Sequence, residues 1–301
     1  MTENLQPFEI QREAFAERLN LKEQWESQVK ILNEVGILEI LPESQELGII
    51  GIDGQEYPVP DFQEIMSRIT PEQMEVLEKK NEQGFNKMLI TPFGMPLDIL
   101  ISRYKELLLK KDSESTLLAT DGSKLDLDRN EPTWVWEGYN GADANGGLVY
   151  FPESFTQNHE GQTKQEILAN SGAFKIEFIE DTPDMPRNEQ TQGGRIKPTP
   201  GKKASQYLEI MQNDENMTNE HGLTPETWLT YAITNLKERN QQIDDWQGQG
   251  KGSWLTGAYF PASGFVPCAD WDRDARLAYL DGSGPSVSFS GFGCRSSVEI
   301  K

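Results

Sequence analysis

The most constraining feature of this sequence is an abrupt change in composition over residues 252–298. The segment contains no Lys, Glu, Gln, Asn, Met or His, although the rest of the chain is rich in several of these types. It consists mainly of Gly, Ser, Ala, Asp and Arg with interspersed Phe, Tyr and Trp. Rigid aromatic side chains among small, adaptable neighbours are typical of recognition loops. A Gly- and Ser-rich β-segment with tight turns and no partner has the same composition, so composition alone leaves both interpretations open.

The composition of the whole chain excludes some classes of partner. The formal net charge is −21 over 301 residues, and such a surface on average repels a phosphate backbone. We therefore expect no nucleic-acid partner. The apolar run at residues 37–52 is interrupted by Pro42, Glu43 and Glu46. It falls short of the roughly 20 apolar residues that a membrane span needs, so we expect no membrane span.

The N-terminus and the cysteines favour a reducing compartment. The first residues form neither a basic n-region nor an apolar h-region, so we expect no signal peptide. The only two cysteines, Cys268 and Cys294, cannot build a disulfide framework. They also lack the clustered spacing of a metal site. A cytoplasmic location is expected, unless the protein is carried as part of a larger particle.

Residues 1–128 are predicted to form a mainly helical N-terminal module of unknown role. Thr70 and Pro71 have the residue types of an N-cap and a first helical position. Apolar residues elsewhere recur at helical spacing. Helices are predicted at residues 11–34, at 71–83 and from 96 onward, a strand and turn at 48–54, and a boundary loop at 110–115.

From Thr133 onward the patterns change from helical to strand-like. Short runs of aromatic and β-branched residues are separated by Gly- and Asn-rich turns. The pair Thr224-Pro225 predicts the start of a further helix. Strands are predicted at residues 134–136, 148–151 and 174–179, a long surface loop at 184–203, and helices at 204–212 and from 224 onward.

Few arrangements of catalytic residue types are present. Residues 282–287 begin like a dinucleotide-binding loop but have no glycine at the sixth position and precede no predicted helix. Residues 201–203 lack the rest of a phosphate-binding loop. Asp270, Asp272 and Asp274 alternate, but no closing Glu of a calcium loop follows them. We therefore expect no metal ion or cofactor.

Several separated motifs occur in an order that resembles one known family. They are LVYFP at 148–152, FIEDTP at 178–183, GLTPETWL at 222–229, NQQIDD at 240–245, LTGAYF at 255–260, VP at 266–267, WDRD at 271–274 and GCRSSV at 293–298. The chain over residues 133–301 is similar to the variable proteins of diversity-generating retroelements, of the phage or archaeal-virus type. The resemblance implies an α+β protein, in which residues 129–301 form a ligand-binding domain with a C-type lectin fold, related to that of formylglycine-generating enzymes.

In that family, error-prone copying at adenines replaces a C-terminal coding segment, here expected at about 254–298. The Asn codons that are altered cannot yield Lys, Glu, Gln or Met, which accounts for four of the six missing residue types. The resemblance implies a fixed scaffold of Trp254, Gly257, Tyr259, Pro267, Trp271, Arg276, Gly293 and Arg295. It implies exchangeable, ligand-binding positions at Phe265, Cys268, Asp270, Asp272, Asp274, Ala275, Tyr279, Asp281, Gly282, Ser283, Gly284, Val287, Phe289, Ser290 and Phe292.

The sequence lacks the functional residues of two types of protein that share the C-type lectin fold. The Glu-Pro-Asn and Trp-Asn-Asp signature of calcium-dependent sugar-binding lectins is absent. Cys268, Cys294, His159 and His221 match neither the paired cysteines nor the His-rich iron site of the enzymatic relatives. The resemblance therefore implies a non-enzymatic protein that binds a macromolecular ligand, a protein or a surface glycan, in the cytoplasm or on a viral particle. The alternatives are an oxidase or synthase of the formylglycine-generating type and a structural particle component whose tail merely packs.

Overall fold

The computed structural model describes residues 5–185, 188–248 and 250–300. The helices are α1 Leu5–Arg18, α2 Leu21–Glu34, α3 Phe62–Arg68, α4 Pro71–Glu82, α5 Leu97–Ser113, α6 Ala142–Asn145, α7 Lys164–Ser171, α8 Ala204–Asn213 and α9 Pro225–Arg239. The strands are β1 Glu39–Ile40, β2 Leu47–Ile50, β3 Glu56–Pro58, β4 Phe85–Thr91, β5 Thr133–Val135, β6 Val149–Tyr150, β7 Gln162–Thr163, β8 Lys175–Glu180, β9 Thr191–Gln192, β10 Arg195–Ile196, β11 His221–Gly222, β12 Gly252–Trp254, β13 Ala258–Tyr259, β14 Val266–Asp272, β15 Leu277–Ser283, β16 Phe292–Cys294 and β17 Ser296–Ile300.

The strands form several sheets, and the chain is a mixed α+β protein as the sequence predicts. A four-stranded sheet has the order β11-β17-β8-β4, and a five-stranded sheet has the order β16-β12-β14-β15-β5. Two three-stranded sheets, β1-β2-β3 and β13-β6-β7, and the hairpin β9-β10 complete the described strands. No described helix has the length and apolar character needed to cross a membrane.

The two halves of the chain share one hydrophobic core. Strand β4, from the first half, pairs antiparallel with β8, from the second, and places Met88 opposite Phe178. Helix α5 packs against α9, where the rings of Tyr104 and Trp228 meet edge to face with centroids 5.9 Å apart. A single cluster of buried residues extends from α1 to β17. The predicted boundary at residue 128 is therefore not a boundary of the core.

The capping residues that the sequence identifies begin the helices they predict. The Thr70 side chain accepts a hydrogen bond from the Gln73 backbone at the start of α4. The Thr224 side chain does the same for the backbone of Thr227 at the start of α9. Each helix has Pro at its first position, where no backbone hydrogen bond is lost.

Three local predictions need correction. The single helix predicted at 11–34 is two helices, α1 and α2, because Asn20 adopts a left-handed conformation with φ 51°. The loop predicted at 110–115 is the last turn of α5 up to Ser113. The surface loop predicted at 184–203 carries the buried side chain of Arg195. Its guanidinium donates to Glu220 at 2.7 and 2.8 Å, and this pairing compensates the loss of solvent.

Candidate ligand-binding face

The five-stranded sheet separates residues of the last segment onto two faces. Along β14, Ala269 and Trp271 are fully buried in the main core. Because successive side chains of a strand point to opposite sides, Cys268, Asp270 and Asp272 point away from that core. Register extends this second face across β15, β12, β16 and β5. We call it the outward face; its residues are Trp134, Gly252, Trp254, Val266, Cys268, Asp270, Asp272, Leu277, Tyr279, Asp281, Ser283, Phe292 and Cys294.

Thirteen of the fifteen predicted exchangeable positions occupy three parts of this region. Seven lie in strands on the outward face, namely Cys268, Asp270, Asp272, Tyr279, Asp281, Ser283 and Phe292. Two, Asp274 and Ala275, lie between β14 and β15. Four, Gly284, Val287, Phe289 and Ser290, lie in the loop between β15 and β16. The last two, Phe265 and Gly282, lie apart from these groups beside Trp136.

Two of the predicted positions are poorly placed to carry a ligand-binding side chain. Cys268 is 4% exposed in a second hydrophobic cluster with Trp254, Val266 and Tyr207, where helix α8 covers one end of the outward face. Gly282 lies on the inner side of β15, and a Cβ atom there would come within 2.9 Å of the Trp136 ring. Neither position can present a side chain to a ligand, so we exclude both from the candidate binding surface.

Aromatic side chains form two groups on the outward face. The rings of Trp134 and Tyr279, on adjacent strands, have centroids 5.3 Å apart. At the other edge of the sheet, the Phe292 ring lies over Gly252, where a Cβ atom would come within 2.7 Å of it. Phe289, in the loop, packs on Phe292 with centroids 5.4 Å apart. Partly exposed aromatic rings are common energetic anchors of binding surfaces.

Carboxylates lie between the two aromatic groups. Asp270 pairs in register with Tyr279, and Asp281 pairs with Cys268 on the same face. Burial and the neighbouring negative charge of Asp272 raise the pKa of Asp270 to about 8. Burial also raises the pKa of Asp281. This part of the face therefore combines aromatic rings with carboxyl groups that give up their protons less readily than usual.

The predicted fixed residues, by contrast, are almost all buried. Trp254, Gly257, Tyr259, Pro267, Trp271, Gly293 and Arg295 are buried. Gly257 approaches the backbone so closely that a Cβ atom would lie 2.2 Å from the Gly222 carbonyl oxygen. Arg276 is the exception, because it is exposed between β14 and β15 with φ 59°. If Arg276 is fixed, the reason is therefore the backbone conformation at this turn and not the packing of its side chain.

The Arg295 side chain connects the last strands to the chain that precedes them. Its guanidinium donates to Asp244 at 2.6 and 2.9 Å and to the carbonyl oxygens of Thr182 and Pro183 at 2.8 Å each. Asp244 also accepts hydrogen bonds from the Trp228 indole and the Ser253 hydroxyl. The buried charges are therefore paired and hydrogen-bonded, as burial requires.

The two cysteines do not form a reactive pair. Both are free thiols, and each lies in register with Trp254 on opposite sides of β12. Two strand spacings separate their backbones by roughly 9.5 Å, which is too far for a disulfide. Burial raises the pKa of Cys268 and raises that of Cys294 to about 12, so the nucleophilic thiolate is disfavoured at both. Among the described residues, no group of three or more His, Cys, Asp or Glu is placed to hold a metal ion.

Sequence reasoning missed two members of the outward face. Trp134 lies in a predicted strand, but nothing in its sequence position shows that β5 joins the sheet beside Tyr279 through a parallel pairing. Gly252 is the start of the compositional change, yet only the pairing of β12 with β16 reveals that it makes room for Phe292. Comparisons with known protein families, curated proteins and solved structures found no match to this chain.

Proposed function

We propose that this chain is a hypervariable ligand-binding protein. In this proposal the outward face and the loop between β15 and β16 contact a macromolecular ligand, and adenine-directed retroelement copying diversifies residues 254–298. The observation that carries it is the alternation along β14, where the predicted exchangeable residues Asp270 and Asp272 face away from the main core and the predicted fixed residue Trp271 faces into it.

This separation has a physical advantage for a diversified segment. Substitutions at surface positions away from core contacts usually change stability by only about 0.5 kcal/mol. Removing a buried aromatic residue instead costs roughly 3–5 kcal/mol. Asp272, Asp274, Tyr279, Val287 and Ser290 are all partly or fully exposed. Changes at these positions can therefore alter binding while the scaffold remains folded.

We also propose that residues 129–301 have a C-type lectin fold. Strand β17, near the end of the chain, pairs antiparallel with β8 and with β11, both from earlier parts of the segment. The C-terminal end of the variable segment is thus held by β17. A segment anchored in this way keeps its backbone when its outward side chains change, which supports the proposal.

Sequencing the gene and its flanking regions in independent isolates tests the function. We expect a near-identical template repeat close to the gene, beside a reverse transcriptase, with mismatches at adenines. Amino-acid differences between isolates should be concentrated at the exchangeable positions on the outward face and in its loop. A complete locus without such a repeat, or differences spread evenly over the chain, would contradict the proposal.

A further inference from the structure

The Asp270 carboxylate is the least compensated charge of the outward face. Asp270 is 7% exposed, yet no described residue donates a hydrogen bond to its carboxylate or forms an ion pair with it. The charged groups close enough to act on it are Asp272, Asp244 and Asp281, and all are negative. A buried carboxylate without a partner is costly, so this site is electrostatically prepared for a positive charge.

The nearest positive side chain along the strand does not supply that charge. Arg273 donates to Asp245 at 2.5 and 2.8 Å and to Asp121 at 3.3 Å. These contacts hold the Arg273 guanidinium beside the carboxylates of Asp245 and Asp121, and not beside that of Asp270. Arg273 therefore does not supply a counter-charge to Asp270, and the position is open to a cation from another molecule.

Aromatic rings lie on both sides of Asp270 on this face. Tyr279 is its partner in register on β15 and contacts Trp134. On the β12 side the neighbouring position is Gly252, which has no side chain and lies beneath the Phe292 ring. A carboxylate flanked by aromatic rings is suited to a cationic side chain, because the rings attract the cation through their π faces and shield the ion pair from water.

We propose that the outward face binds a protein ligand through a lysine or arginine side chain, which inserts between Tyr279 and Phe292 and pairs with Asp270. This inference rests on the proposed function, since it names the ligand chemistry of the same face. The net charge of −21 favours encounter with a basic partner surface. In this arrangement Asp270 pairs with the positive charge of the ligand, while the half-buried Trp134 and Tyr279 supply contact area.

Binding of a cation at Asp270 should depend on pH. The groups that face Asp270 are Asp272 and Cys268 on β14, Tyr279 and Asp281 on β15, and Asp244 from the segment before β12. Burial and the negative charges of Asp272, Asp244 and Asp281 raise the pKa of Asp270 to about 8, so Asp270 is mostly neutral well below that pH. A bound cation stabilises the carboxylate and lowers its pKa. Affinity should therefore rise between about pH 6 and pH 9.

The test uses the full chain labelled with ¹⁵N and small probes of each chemistry. The probes are Nα-acetyl-arginine methylamide, Nα-acetyl-lysine methylamide, the neutral Nα-acetyl-citrulline methylamide and methyl α-glucoside. The readout is the indole N–H resonance of Trp134, assigned from its loss in Trp134→Phe. We expect one or both cationic probes to shift this resonance saturably, and the two titrations show which cation is preferred. The citrulline probe and the sugar should leave it in place.

Variants distinguish a local pairing from a general charge effect. Asp270→Asn keeps the side-chain shape and should weaken binding of the cationic probe about tenfold. It should also abolish the pH dependence. Glu39→Gln removes one carboxylate from the exposed strand β1 and should leave binding unchanged. Circular dichroism and thermal melts test whether both variants are folded.

Several results would overturn the inference. One is no shift of the Trp134 resonance with either cationic probe up to about 50 mM, a range that covers weak single-residue contacts. Equal shifts with citrulline, or no effect of Asp270→Asn, would do the same. A shift with the sugar alone would assign the face to glycans. Sequence variation at the locus is measured separately, so a failure of cation binding would not contradict the proposed diversification. Conversely, an invariant locus with intact cation binding would contradict diversification but not the inferred binding of a cation.

Discussion

The ring of Phe289 stacks on the indole of Trp254, with centroids 5.7 Å apart and ring planes inclined by 20°. Trp254 belongs to the predicted fixed scaffold and is fully buried, whereas Phe289 is a predicted exchangeable position and is 39% exposed. The loop between β15 and β16 therefore forms part of the cover over its own scaffold. Exchange at Phe289 has a cost in stability that exchange at neighbouring positions does not have.

We expect Phe289→Ala to lower the free energy of unfolding by about 1–2 kcal/mol, because it removes a stacked ring and exposes Trp254. Val287 lies in the same loop and is also 39% exposed. Val287→Ala should change the free energy of unfolding by less than about 0.5 kcal/mol. Urea unfolding followed by circular dichroism measures both values. Equal losses in the two variants would show that the stacking on Trp254 contributes little.

The two faces of the five-stranded sheet should differ in their tolerance of substitution. Tyr279 is half-buried on the outward face, and Tyr279→Ser should cost less than about 1 kcal/mol, mainly through the lost contact with Trp134. Trp271 is fully buried on the other face, and Trp271→Ala should cost about 3–5 kcal/mol. Thermal melts of the two variants give the comparison. A large loss of stability in Tyr279→Ser would contradict a surface that tolerates exchange. It would favour the alternative of a structural particle component, in which this segment only packs against the rest of the fold.

The buried pair of Arg295 and Asp244 should be essential for stability. Arg295→Met leaves the Asp244 carboxylate buried without its cation, and we expect a loss of about 3–5 kcal/mol. The matched control is Arg18→Met, since Arg18 pairs with Glu78 at 2.6 Å on the surface. Exposed pairs of this kind contribute at most about 1 kcal/mol. Denaturant unfolding at neutral pH measures both, and similar values would contradict the distinction.

The free energy of unfolding should depend on pH through Asp270. Its pKa is raised to about 8 in the folded protein, against about 3.9 in an unfolded chain. Between these values the folded state binds more protons than the unfolded state, so this group lowers stability as the pH rises, by at most about 1.4 kcal/mol per pH unit. The loss is complete above about pH 8 and absent below the unfolded pKa.

Asp270→Asn removes this titration while it keeps the shape of the side chain. The variant should therefore gain stability relative to the parent between about pH 5 and pH 8, and the difference should then level off. Urea unfolding of both proteins in matched buffers gives the difference at each pH. A difference that stays constant over this range would show that Asp270 is ionised normally in the folded chain.

Several elements could be predicted from the sequence because their signals are local. The caps at Thr70 and Thr224, for example, act within one helical turn. The break at Asn20 was missed, since apolar residues continue at helical spacing across it. Strand β4 and the buried Arg195 were also missed, because their partners, β8 and Glu220, lie far away in the sequence.

The sequence by itself therefore determined the mixed α+β class and the main helices. The strand at residues 266–272, which separates its residues onto two faces, came from the structure. Only the tertiary structure decided which of the two faces is open. Helix α8 covers Cys268, while Tyr279 lies beside Trp134, which β5 contributes through a parallel pairing. Alternation is a property of one strand, whereas exposure and charge compensation depend on what other parts of the chain pack against it. For the same reason the shared core across residue 128 could not be predicted from composition.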